Sequence, residues 1–136
     1  MSTIPEVIST AGAPAAIGPY SQALAWENLI FTAGQIPLDP RSAEMVTGGP
    51  AEQTRRVLDN LRAVLEAAGS SLGHVLKATV FVTDLAHFAE INAVWGEYFI
   101  HHPPARSTVQ VAALPRGALV EVDLVAVRNP APGSNK

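Results

Sequence analysis

The chain contains no cysteine at all, which rules out disulfides, thiolate-ligated zinc and a thiol nucleophile and fits a reducing compartment. Charge is also sparse: Asp, Glu, Lys and Arg together make up 15% of the 136 residues, and nine basic against twelve acidic groups leave a formal charge of -3. Arg55 and Arg56 form the only adjacent basic pair. The concentrated positive surface that nucleic-acid binding demands is therefore missing, and no nucleic-acid partner is expected. No apolar run approaches the roughly 20 residues of a membrane span, and no basic-then-apolar leader opens the chain. The expectation is a cytoplasmic protein without a membrane partner. There is no GxxxxGK[ST] loop and no GxGxxG turn, so nothing argues for a nucleotide cofactor. The four histidines, His74, His87, His101 and His102, lack a ligand spacing, and no metal or other cofactor is expected.

What the chain does have is apolar content, at 48%. That suits one domain with one core, and leaves enough apolar surface to serve contacts between subunits as well. Glu6 to Ser9 reads as a short strand, followed by a turn-rich stretch through Gly18-Pro19. Tyr20 to Trp26 and Leu29 to Ala33 read as a hairpin, and a loop runs from Gly34 to Gly49. Pro50 suits the first turn of a helix whose apolar stripe is Val57, Leu58, Leu61, Val64, Leu65 and Ala68, with Gly69 as its stop. His74 to Val82 is the next strand, with Leu76, Ala78, Val80 and Val82 on one face. Asp84 caps a second helix, in which Phe88, Ile91, Trp95, Tyr98 and Phe99 recur at helical spacing as packing residues. Ser107 to Ala113 and Leu119 to Val127 are the last strands, expected to form a hairpin through Leu114 to Ala118. Residues 129–136, rich in proline and polar groups, are expected to be a disordered tail. The sum is an α+β fold, a mixed sheet with two helices on one face. Its other face is left apolar and is expected to meet another subunit.

Arg106 is the residue with most to say. It follows Pro103-Pro104-Ala105 at the start of a strand, so its backbone is restrained while the guanidinium can present a two-pronged donor set to a carboxylate. Read alone, it serves an interface salt bridge equally well. Glu121 and Asp123 share one strand face, and a carboxylate in that apolar run must be paired, hydrated or displayed at a rim. Tyr20 either packs, as most tyrosines at strand starts do, or closes an apolar pocket with its hydroxyl reaching a ligand. Ala33-Gly34 ends a strand at a glycine that permits close approach, as many strands do, and Asn92 either donates from its amide into a pocket or makes a helix-surface contact.

Several separated segments resemble one family in order along the chain. They are Pro14-Ala15-Ala16-Ile17-Gly18-Pro19-Tyr20-Ser21-Gln22, Phe31-Thr32-Ala33-Gly34-Gln35-Ile36-Pro37, Asn60-Leu61 through Ala67-Ala68-Gly69, Val80-Phe81-Val82-Thr83-Asp84, and Pro104-Ala105-Arg106-Ser107 through Leu114-Pro115 to Val120-Glu121-Val122-Asp123. The chain is similar in these to the Rid family, the reactive-intermediate or imine deaminases also called YjgF-like, over the single domain expected within residues 1–128. The resemblance implies a chorismate-mutase-like protomer in a homotrimer with sites between subunits. The implied activity is cofactor-free hydrolysis of small 2-imino or enamino acids, such as 2-aminoacrylate and 2-iminobutyrate, to 2-keto acids and ammonia.

Carried onto this chain, the resemblance makes Arg106 the grip on the substrate carboxylate and Glu121 the residue that orients or deprotonates the attacking water. Gly34 would supply backbone contacts, and Tyr20 and Asn92 would shape the pocket. Three positions depart from the pattern. Ala33 stands where many deaminases have Ser, Thr108 stands where Cys is frequent and would act through its backbone, and the segment Phe99 to Pro104 is shorter. The alternatives are a noncatalytic binder of small carboxylates on the same scaffold, an RNA-related activity, and a deaminase of a larger catabolic intermediate such as 2-aminomuconate.

Overall fold

A computed structural model describes residues 4–129; of the tail 129–136 expected to be disordered, residues 130–136 lie outside them. Six strands and two helices follow one another as β1 (Glu6–Ile8), β2 (Ala23–Trp26), β3 (Leu29–Thr32), α1 (Pro50–Ala67), β4 (Val75–Val82), α2 (Phe88–Tyr98), β5 (Ala105–Gln110) and β6 (Val120–Val127). They form one sheet in the order β1-β2-β3-β6-β4-β5. All neighbours are antiparallel except β4 and β5, which run parallel. Both helices pack on one face of the sheet, as the pattern predicts. Among the described residues no helix is long and apolar enough to cross a membrane.

One sequence expectation fails here. β5 and β6 are not a hairpin, because β4 lies between them. The reason is burial. Val120, Val122, Leu124 and Ala126 of β6 are all buried to within 1%, which demands a central strand with a neighbour on each side. β5 carries Ser107, Thr108 and Gln110 and is suited to an edge. The chain from β4 to β5 passes through α2, and a connection of that length brings strands together in parallel.

The core is built where α1 lies on the sheet. Val57, Leu58, Leu61, Val64 and Leu65 are fully buried against Ile30, Ala78, Val80 and Val122. Pro50 starts α1, and the Glu52 carboxylate accepts the Gly49 N–H at 2.9 Å, closing the first turn. Gly69, at φ +83°, ends it in the left-handed region that glycine occupies without strain. Asn60 is fully buried on the same stripe. Its amide donates to the Leu38 carbonyl at 3.0 Å and its oxygen accepts from Arg56, so the loop after β3 is tied to the helix. α2 docks beside α1 through the Arg55–Glu97 ion pair and a Tyr98 hydroxyl that donates to Asp59 at 2.8 Å.

Two smaller departures are informative. Tyr20 to Gln22 do not join β2, because the buried Gln22 side chain is committed elsewhere. Its amide donates to the carbonyls of Pro14 (2.7 Å) and Thr10 (3.1 Å), and its oxygen accepts the Thr10 N–H at 2.7 Å. In β4, Leu76 turns outward although the alternation assigns it to the core. A bulge between Val75 and Lys77 inserts one residue, buries Val75 and leaves Leu76 exposed.

The face without helices carries Val7, Leu24, Trp26, Leu29, Phe31, Leu76 and Val109 as large exposed apolar residues.

Candidate functional site

The expected site residues fall in three places, and the sheet itself divides them. Arg106 pairs in register with the buried Ala78, so its side chain lies on the helix side. Glu121 pairs with Phe81, between the buried Val120 and Val122, and lies on the open side. Within one chain the guanidinium and the carboxylate are on opposite faces.

On the helix side, β5 aims Arg106 at α2. Its guanidinium carbon is 5.1 Å from the centroid of the Trp95 ring and 5.4 Å from that of Phe88. Phe88, Asn92 and Trp95 stand at positions i, i+4 and i+7, one stripe of the helix. Asn92, Trp95, Gly96, Phe99, Pro104 and Arg106 line an open cavity of about 500 Å³. Among the described residues no ion pair includes Arg106. Partial burial alone draws its pKa down, and an arginine withstands that while staying charged. It is thus a half-buried cation with no counter-ion among the described residues, able to receive an anion on its in-plane donor edge. Thr108 lies two residues along β5, opposite Val80, on the same side.

On the open side, Glu121 lies against Gly34. β3 pairs Phe31 with Val125, and the ladder resumes with Gln35 opposite Val122. Thr32, Ala33 and Gly34 therefore span a gap that Asp123 and Leu124 fill on β6. The surplus residue makes a bulge, held by the Ala33 N–H donating to the Gln22 carbonyl (2.9 Å) and the Leu124 N–H donating to the Thr32 hydroxyl (3.0 Å). A methyl group on Gly34 would meet the Glu121 Oε2 at 2.0 Å and its carboxyl carbon at 2.9 Å. No residue with a side chain fits there unless the carboxylate moves. Burial pushes the Glu121 pKa up, and the negative charge of Asp123 pushes it further. Asp123 is raised by its own burial, with the Lys77 ammonium opposing. A carboxylate shifted upward is a stronger base than a free one, which suits proton abstraction from water.

Tyr20 is in neither cluster. It is exposed and lines a separate concavity of about 540 Å³ together with Val7, Thr10, Ala16, Gln22 and Pro40.

Sequence reasoning named Arg106 and Asn92 as site residues and the structure brings them together; it likewise unites Glu121 with Gly34. The expected hairpin between the strands of Arg106 and Glu121 would have put the two on neighbouring strands, but β4 lies between them. Phe88 and Trp95 were expected only as packing, although their spacing about Asn92 on one helical stripe was the available sign that they face Arg106.

The family model for endoribonuclease L-PSP matches residues 10–128. The chain belongs to this YjgF/Rid family. Among its relatives, Protein DfrA of Myxococcus xanthus is 52% identical over 90% of this chain and 95% of that protein. The 2-iminobutanoate/2-iminopropanoate deaminase of Bos taurus is 46% identical over 95% of this chain and 94% of its own. The solved structure of the E. coli YjgF gene product superposes with a TM-score of 0.86 at 46% identity, covering 91% of this chain and 99% of the other. The architecture seen here is thus the YjgF/Rid fold, expected from the sequence as a chorismate-mutase-like protomer. Rid-family relatives carry different names, and imine deaminases are prominent among them.

Proposed function

We propose that this YjgF/Rid-family chain hydrolyses small 2-imino or enamino acids to 2-keto acids and ammonia, in sites completed between subunits of a homotrimer. The observation that carries the proposal is the pair of groups on opposite faces of one sheet: a half-buried guanidinium with no counter-ion among the described residues, and a carboxylate with a raised pKa fixed against a glycine. Each half lacks what the other offers. A second copy that lays its open face over the α2 side of the first supplies both to one cavity. Because the two halves face opposite ways, such contacts are head to tail, and head-to-tail contacts that close make a ring. The apolar open face gives that ring its driving force.

In this site Arg106 holds the substrate carboxylate through two parallel hydrogen bonds and fixes the position of the imine carbon. Glu121 of the neighbour accepts a proton from water as that water adds to the imine carbon. The C=N bond of the protonated imine becomes a C–N single bond in a tetrahedral carbinolamine, and Glu121 passes the proton it took from water to the carbinolamine nitrogen. The C–N bond then breaks and ammonia leaves, while the carbinol hydroxyl forms the keto C=O by giving its proton back to Glu121, which releases it to solvent. An enamine enters the same course after tautomerising to the imine. The Asn92 amide, which lines the same cavity as Arg106, holds a polar group of the bound acid in this reading. Ala33 contributes backbone only, and the shorter segment Phe99 to Pro104 forms the rim.

The test is a coupled assay in which an amino-acid dehydratase generates 2-aminoacrylate or 2-iminobutyrate and keto-acid release is followed. The protein should accelerate release in proportion to its concentration. Binding of the keto acid with no acceleration at any concentration would leave a noncatalytic carboxylate binder instead.

A further inference from the structure

We infer that Phe88 and Trp95 are positioning residues, two aromatic faces that hold the Arg106 guanidinium in the orientation that receives a carboxylate. The inference rests on the reading of Arg106 as a carboxylate fork and adds what keeps the fork in place.

An arginine that must grip a ligand needs something to fix its long, flexible chain. A carboxylate from the same protein is the common solution, but it neutralises the charge and occupies the donor edge that the ligand requires. Here the described residues contain no ion pair to Arg106. The groups beside it are the Trp95 ring, at 5.1 Å from the guanidinium carbon, and the Phe88 ring at 5.4 Å. Both distances lie within reach of cation–π attraction. Such attraction acts through the ring face and uses none of the five N–H donors. It also offsets part of the desolvation that draws the guanidinium's pKa down.

The support is itself rigid. Trp95 is 5% exposed and stacks against Phe99 at 4.7 Å between centroids. Phe88 is 38% exposed and is free of the central packing, so core stability alone does not explain an aromatic ring there. The two residues are seven apart on α2, with Asn92 between them on the same stripe. One helix therefore delivers both rings and the amide to one guanidinium.

The test is a double-mutant cycle read by calorimetric titration of the intact protein with 2-ketobutyrate, alongside steady-state kinetics. Phe88→Leu keeps apolar bulk and removes the ring, and it should weaken 2-ketobutyrate binding roughly three- to tenfold, the span of one such contact. Phe88→Tyr should restore binding to within about twofold, since the ring face returns. Trp95→Phe should bind better than Trp95→Leu for the same reason, and Phe88→Leu guards the test against any unfolding of the buried Trp95 variants. In kinetics the loss should fall mainly on KM, with kcat less affected. The decisive arm places Phe88→Leu in an Arg106→Lys background, where it should cost clearly less than in the wild type, because an ammonium keeps the charge but lacks the planar face the two rings clamp. Equal losses in both backgrounds, unchanged binding in Phe88→Leu, or a wild-type protein that takes up no 2-ketobutyrate would each overturn the inference. A protein that binds the keto acid, shows the predicted coupling and yet hydrolyses no imine would contradict the proposed reaction while supporting the clamp.

Discussion

Arg106 carries two properties that a lysine does not share: a planar donor pair and a flat face for two aromatic rings. Arg106→Lys should therefore lower kcat/KM about 100-fold although the charge is kept, and steady-state kinetics with dehydratase-generated imine measures it. Glu121→Gln should fold and assemble normally but lose at least about 100-fold in kcat, the low end of general-base contributions. Gly34→Ala tests the contact between glycine and carboxylate directly. Its methyl would meet Glu121 Oε2 at 2.0 Å, so the carboxylate must swing away and activity should fall with little change in thermal stability. An active Gly34→Ala enzyme would show that Glu121 acts from elsewhere. The sequence marked Arg106 and Glu121 as needing an explanation, a guanidinium after two prolines and a carboxylate in an apolar strand, but left an interface salt bridge or an exposed edge equally open, and only the family resemblance gave them site roles. Alternation put Glu121 and Asp123 on the face away from the apolar residues of β6, whereas the neighbours of each strand were not legible, because β4 inserts between β5 and β6.

At the level of elements, β6 holds the pH response. Glu121 and Asp123 project from the same face, and each is raised by burial, Glu121 also by its neighbour's charge. In the proposed reaction the base form of Glu121 is the active one, so activity should be lost as pH falls through its raised pKa. Removing the adjacent charge with Asp123→Asn lowers that pKa and should shift the acid limb of the kcat profile to lower pH. A limb that stays in place or moves upward would contradict the coupling. The helices were readable in advance because Pro50, the apolar stripe and Gly69 all agree on α1, and the aromatic spacing announces α2; Asp84, expected to cap that helix, instead caps the 3-10 turn Leu85–His87 that leads into it, its carboxylate accepting the Ala86 N–H. The strand order was not. Turn residues at 114–118 invited a local hairpin, whereas the complete burial of alternate β6 residues required β6 to sit between β3 and β4. Leu76 was misassigned for a related reason, because a one-residue bulge reverses the alternation and leaves no mark in the apolar pattern.

For the molecule as a whole, the open face is the consequential surface. Phe31 is 48% exposed at its middle, beside Leu24 and paired with Val125. Phe31→Glu should leave the helix-side core intact yet shift sedimentation toward the monomer and abolish turnover, since a charge cannot be desolvated there alone. The central claim is that Arg106 of one subunit and Glu121 of the next share each site. Subunit mixing tests it most directly. Arg106→Ala and Glu121→Ala proteins, each inactive by itself, are unfolded together, refolded as mixed oligomers and assayed. Random assortment around a head-to-tail ring gives about one site in four both groups intact, so roughly a quarter of wild-type activity should return. Mixed oligomers that remain inactive would contradict the claim, because they would place both groups in the same chain's site.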